Sequence, residues 1–210
     1  TLPFVELERR IWGVPLKGKA PDGSQIFPYK KASISLKTLY PWEVNPTTFY
    51  LLRENMDIQR DLRRFLLDNH GIDTLHLDGA IEIELADGKR MMLTPPIVEV
   101  TPRTVRYVPV AGELEYSSPV NIHIPIINDG AHRVYLAMLE NLDFNAVFIS
   151  SVPEEHLFYA HPNSWSQVRI VDKVPEDKGD KKMYRLGDCY AVYRDFGVLG
   201  CGDPRSPSRG

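Results

Sequence analysis

Apolar residues recur at Leu52, Met56, Leu62, Phe65 and Leu66, the spacing of one face of a helix. Asn45-Pro46 supplies a cap and a first-turn proline, so the spacing predicts a helix that opens there. His70-Gly71 predicts its end, with glycine in the usual C-terminal position. Its opposite face carries Arg53, Asp57, Arg60, Asp61, Arg64 and Asp68, read as a solvated face with short-range ion pairs. Residues 81–85 alternate apolar and polar as a strand with one wet face, and Asp87-Gly88 is a hairpin signal. A second strand follows over 91–100, interrupted at Pro95-Pro96, and a third over 104–110. A polar segment, 112–119, leads into an apolar run at 120–127, the pattern of a buried strand. That run stops at Asn128-Asp129-Gly130, and a helical pattern over 132–141 begins at once. A further strand is expected over 146–152, and a short one over 32–36, ahead of a loop containing Tyr40-Pro41-Trp42-Glu43.

Strands separated by helices, with one hairpin, define a mixed α/β (α+β) fold class. Residues 1–31, with Pro3, Pro15, Pro21 and Pro28, read as an irregular N-terminal segment, and 32–152 as the main domain. Residues 153–199 form an extension packed on that domain, and 200–210 are expected to be a disordered tail. Within the extension, 176–182 is a mixed-charge run expected to be an exposed loop.

Hydrophobic residues make up 43% of the 210, enough for a real core. The net charge of −3 lacks the basic excess of a dedicated nucleic-acid binder. No apolar run has the length of a membrane span and no signal-peptide pattern appears, so a soluble, cytoplasmic protein is expected. Cys189 and Cys201 match no zinc spacing, and His156 and His161 are a weak metal signal.

The densest chemistry lies at Asp129-Gly130-Ala131-His132-Arg133. Glycine permits a tight turn, a helix start offers N–H groups and positive potential, and Arg133 adds a planar cation. These parts suit a phosphate at the carboxyl end of a strand. The purely structural alternative makes Asp129 a helix cap, Gly130 a turn, and His132 and Arg133 surface residues. The spacing is not that of a Walker loop, and no Gly-x-Ser-x-Gly elbow exists. Asp129 could share a magnesium ion with phosphate oxygens. Glu43 could act as a general base if burial raised its pKa, with Trp42 as apolar cover or as core.

With these motifs placed, the chain resembles the ParB/sulfiredoxin fold family over residues 32–152. The matching pieces are the strand and proline loop at 34–41, the helix ending at Gly71 with its Pro96-Ile97-Val98-Glu99-Val100 strand, and the junction box with Ala137 at its following alanine. Leu39-Tyr40-Pro41-Trp42-Glu43 and Asp129-Gly130-Ala131-His132-Arg133 look most like the free serine kinase branch, which uses ADP or ATP. That resemblance implies a nucleotide-dependent phosphotransferase acting on a small hydroxyl compound, with Mg2+. Glu43 would take the hydroxyl proton. Asp129 would assist the metal or the hydroxyl, and Gly130, Ala131, His132 and Arg133 would hold nucleotide phosphates. Ala131 stands where that branch has histidine and where sulfiredoxins have cysteine, and 70–95 and 112–120 look inserted. The alternatives are a non-enzymatic nucleotide- or anion-binding module, and a partition-type DNA-binding or nuclease-like protein. The last is disfavoured by the absence of a helix-turn-helix pattern after Val152.

Overall fold

A computed structural model describes residues 1–84, 88, 90–105, 120–185 and 189–200, with the side chains of 104 and 105 excepted. The central element is a four-stranded sheet of β2 (Ser33–Leu39), β8 (Phe144–Ser150), β6 (Ile97–Val105) and β7 (Val120–Asp129), in that spatial order. β2 runs antiparallel to β8 from Ser33↔Ser150 to Leu39↔Phe144, β8 is parallel to β6, and β6 is antiparallel to β7. The register shifts between Ile97 and Val98, where β6 faces the end of β7. β8 reads Phe-Asn-Ala-Val-Phe-Ile-Ser because both of its faces are covered.

Phe144 and Ala146 join Val98, Ile127, Val134 and Ala137 in one buried cluster beneath helix α3 (Ala131–Glu140). On the other face, Val147, Ile149 and Ile97 meet Leu7 and Ile11 of helix α1 (Phe4–Trp12) and Leu199 near the C-terminus. The extension also covers this face, where Phe158, Tyr159 and Ala160 pack on Ile126. The result is a mixed α/β domain with helices or extension on each side of the sheet. A smaller sheet joins β1 (Leu2–Pro3), β4 (Gly79–Glu84) and β5 (Arg90–Leu93), and β3 (Tyr50–Leu52) pairs in parallel with β9 (Arg169–Val171).

Several elements differ from the sequence reading. The N-terminal segment contains α1, whose Leu7 and Ile11 are fully buried, each worth about 1.5–3 kcal/mol of apolar burial. Two anchors one turn apart between prolines are too few to register as a period. Helix α2 (Arg53–His70) opens seven residues later than the Asn45-Pro46 signal. Asn45 instead pairs beside β7, donating to the Pro125 carbonyl and accepting from Ile127, both at 2.9 Å. The β-branched and aromatic residues Thr47, Thr48, Phe49 and Tyr50 suit that extended path. The end of α2 is as read: Gly71 has φ +66°, and its N–H and that of Ile72 cap Leu67 and Leu66. Phe65 is not on the buried face; it is 56% exposed, edge-on to His70.

The charged face of α2 is the solvated surface expected, with Arg60–Asp57 and Arg64–Asp61 pairs and Arg53 reaching Asp172. Pro95-Pro96 separates β5 and β6 into different sheets. The expected strand over 104–110 survives as the end of β6; its residues 106–110, the polar segment 112–119 and the tail 201–210 lie outside the described residues. No helix among the described residues is long and apolar enough to cross a membrane.

Candidate functional site

The junction between β7 and α3 is built around Gly130, at φ +86°. A Cβ there would lie 2.9 Å from Pro96 Cβ and 3.2 Å from Arg133 Nη2, so both conformation and space demand glycine. Gly130 is the helix N-cap, and no side chain caps the helix; Asp129 is not a structural cap. The first intrahelical bond runs from Val134 N–H to the Gly130 carbonyl at 3.1 Å, so the Ala131 and His132 N–H groups precede the ladder. The Asp129 carboxylate is half-exposed at this positive helix end. Ala131 is partly buried against the cores beneath α3.

The two basic residues of the box are drawn into the fold. Arg133 is only 5% exposed. Its Nη1 donates to the Thr94 carbonyl and its Nη2 lies 3.9 Å from Asp129 Oδ2, so it braces the Pro95-Pro96 loop against the junction. His132 Nε2 accepts the Leu52 N–H at 3.2 Å, which ties β3 to α3 and places the ring proton on Nδ1. Burial pushes the imidazole pKa down to about 4, with Arg133 adding to the effect and Asp129 opposing it. His132 therefore brings a neutral ring to the junction near pH 7.

Glu43 ends the 3-10 turn Pro41–Glu43. The turn is held to α3 by Trp165, whose Nε1 donates to the Pro41 and Val44 carbonyls at 2.9 and 3.1 Å and whose ring lies 5.8 Å from that of Tyr135. Glu43 itself is exposed, and Oε2 accepts the Tyr40 N–H at 2.6 Å. Its Oε1 makes no hydrogen bond among the described residues. Trp42 is neither core nor cover for Glu43: it is 63% exposed and stacks on Tyr40 with ring centres 4.5 Å apart. No hydrogen bond or ion pair joins Glu43 to the junction among the described residues.

Sequence reasoning missed Lys182. The run 176–182 was expected to be exposed, and Glu176–Asp180 are, but Lys182 turns inward. Its Nζ donates to Thr47 Oγ1 at 3.2 Å and to the Tyr159 hydroxyl at 3.0 Å. Thr47 Oγ1 in turn donates to the Ile127 carbonyl at 3.3 Å, near the end of β7. Burial pushes the ammonium pKa down to about 8, against the opposing influence of Cys189 and Asp129. Nothing in the sequence marks this lysine among its charged neighbours.

Among the described residues, His156 and His161 belong to no cluster of three or more His, Cys, Asp or Glu side chains that could hold a metal ion. A concavity of about 260 Å³ lined by Arg60, Arg63, Arg64 and Glu140 lies at the other end of α3, so it is not part of the junction.

Strand β7 of a mixed α/β domain turns through a glycine directly into a helix, with an acidic residue before the glycine and Ala-His-Arg after it. The chain belongs to the ParB CE domain family, whose family model matches residues 19–170. No curated protein and no solved structure matches the chain.

Proposed function

We propose that this protein binds a nucleoside di- or triphosphate at the Asp129–Arg133 junction and transfers a phosphoryl group to a small hydroxyl compound, as the free serine kinase branch does. The observation that carries the reading is the Gly130 turn, which sets α3's first-turn N–H groups beside the half-exposed Asp129 carboxylate. Phosphoryl transfer depends mainly on positioning and charge neutralisation, which such a junction supplies. One carboxylate fits magnesium, which keeps waters and phosphate oxygens as its other ligands, so Asp129 would hold it. When bound, the ion would neutralise phosphate charge.

Glu43, on a turn tethered to α3, would accept the hydroxyl proton at Oε1 while Oε2 stays on the Tyr40 N–H. The hydroxyl oxygen then bonds to the terminal phosphorus, the bond from that phosphorus to the bridging oxygen breaks, and the shortened nucleotide leaves. The test is phosphorus NMR of the protein with magnesium and ADP or ATP, with L-serine as the first acceptor. A new phosphomonoester resonance is expected. A folded protein that binds neither nucleotide at millimolar concentration sinks the reading.

A second reading, a nucleotide-binding module without turnover, is favoured by the exposure of Glu43 and its bond to its own turn. Binding with no consumption of either nucleotide selects it.

A further inference from the structure

A phosphate site needs positive charge, and the box provides little that is mobile. His132 is neutral near pH 7, and Arg133 is turned beneath the loop at Thr94. Lys182 comes from outside the stretch that the family model matches. Its ammonium is held by two hydroxyls, and no carboxylate lies within ion-pair distance among the described residues. It also sits 5.0 Å from the ring centre of Tyr159 and 5.8 Å from that of Phe158. Hydroxyls and aromatic faces offset only part of the cost of burying a cation. An ammonium has three donors, and the third has no acceptor among the described residues. Thr47 fixes the group beside Ile127, two residues before Asp129. A partly buried cation without a carboxylate partner costs stability, and natural proteins accept such costs where a group serves binding.

We propose that the Lys182 ammonium binds phosphate oxygens of the nucleotide held at the Gly130 junction. This rests on the nucleotide reading above. Replacing the ammonium with an apolar chain of similar length removes a partly buried charge that has no carboxylate partner among the described residues, so Lys182→Met is expected to fold with a melting temperature no lower than that of the wild type.

The experiment is calorimetric titration of magnesium-ADP into wild type, Lys182→Met and Lys182→Arg at about pH 7 and about pH 9. Lys182→Met should bind at least about tenfold more weakly at the lower pH. Wild-type affinity should fall by up to about tenfold per pH unit above about 8, as the ammonium loses its proton while the terminal phosphate stays ionised. Lys182→Arg, if it binds, should hold its affinity over that range, because guanidinium stays charged. The titratable groups facing Lys182 are Asp129, Cys189 and Tyr159, and the pH series is run in a Cys189→Ser background, which removes the thiol.

Unchanged affinity in Lys182→Met, or an affinity that is the same at both pH values in the Cys189→Ser background, overturns the assignment. If Lys182→Met does not fold, the pH series decides alone. A wild type that binds while Lys182→Met matches it removes Lys182 only; a folded wild type that binds no magnesium-ADP removes the nucleotide reading together with it.

Discussion

Arg194 holds both carboxylate oxygens of Glu99, with Nη2 2.7 Å from Oε1 and Nε 3.1 Å from Oε2, and both side chains are shut off from solvent. Tyr29 donates to the same carboxylate at 2.7 Å, and Asn128 Nδ2 reaches both Tyr29 and Glu99. The remaining guanidinium protons go to the Val192, Leu157 and His156 carbonyls. One buried network thus joins the N-terminal segment, β6, the residue before Asp129, and the C-terminal extension. The extension is therefore part of the domain that positions the junction.

Arg194→Met should leave Glu99 buried without its cation and cost about 3–5 kcal/mol. Urea unfolding measures this. Adding Glu99→Gln should recover part of the loss, because the stranded charge is then gone. Strict additivity of the two changes would show that the residues do not act as a pair.

Gly130→Ala must place a side chain at φ +86°, a cost of about 1–2 kcal/mol before the contact with Pro96 is counted. A melting temperature lower by several degrees is expected. The same substitution at Gly18 or Gly79 also meets backbone, so neither is a neutral control; Gly23, with φ +83° and open space, isolates the conformational part alone. Equal losses at 23 and 130 would show that Pro96 gives way.

His76 bridges two carboxylates, with Nδ1 3.2 Å from Asp73 and Nε2 2.9 Å from Asp143. Burial works against protonation, but the hydrogen bonds that the ring makes to Asp143 and Asp73 outweigh it and raise the imidazole pKa above 6.5. A raised folded-state pKa stabilises fully below the unfolded value and loses its contribution as pH climbs through the folded value. The stability gap between wild type and His76→Gln should therefore be larger at about pH 5.5 than at about pH 8.5. A gap that grows with pH would contradict the assignment.

Glu43→Gln keeps the size of the side chain and the acceptor for the Tyr40 N–H, so the turn should hold its shape. Nucleotide affinity should stay within about twofold, while turnover drops by about 100-fold to 10,000-fold, the usual contribution of a general base. Stopped nucleotide consumption with intact binding is the expected pair of results. Undiminished turnover would remove Glu43 from the chemistry.

The strand-to-helix junction was legible because its cause is local. An apolar run, a glycine and a helical period are contiguous, and each element forms at nearly the expected place, with α3 at Ala131–Glu140 against 132–141. The C-terminal end of α2 was legible for the same reason, since Gly71 acts on its own neighbours. The start of α2 was not. A cap signal at Asn45 competes with backbone pairing to β7, a partner about 80 residues away, and the sheet wins because two ladder bonds and an extended, β-branched stretch favour it.

Periodicity and turn chemistry were enough to establish a mixed α/β domain and the location of its acidic, glycine-centred turn. The contacts and burial of the charged residues around that turn were decided in three dimensions. Arg133 and His132 are adjacent in sequence, yet packing sets one against the Thr94 carbonyl and lowers the pKa of the other by burial. Lys182 looks like one more surface charge, yet the extension carries it to Thr47 and Tyr159. Burial and long-range contacts set where a cation points and whether it keeps its proton, and neither is encoded in the neighbouring residues.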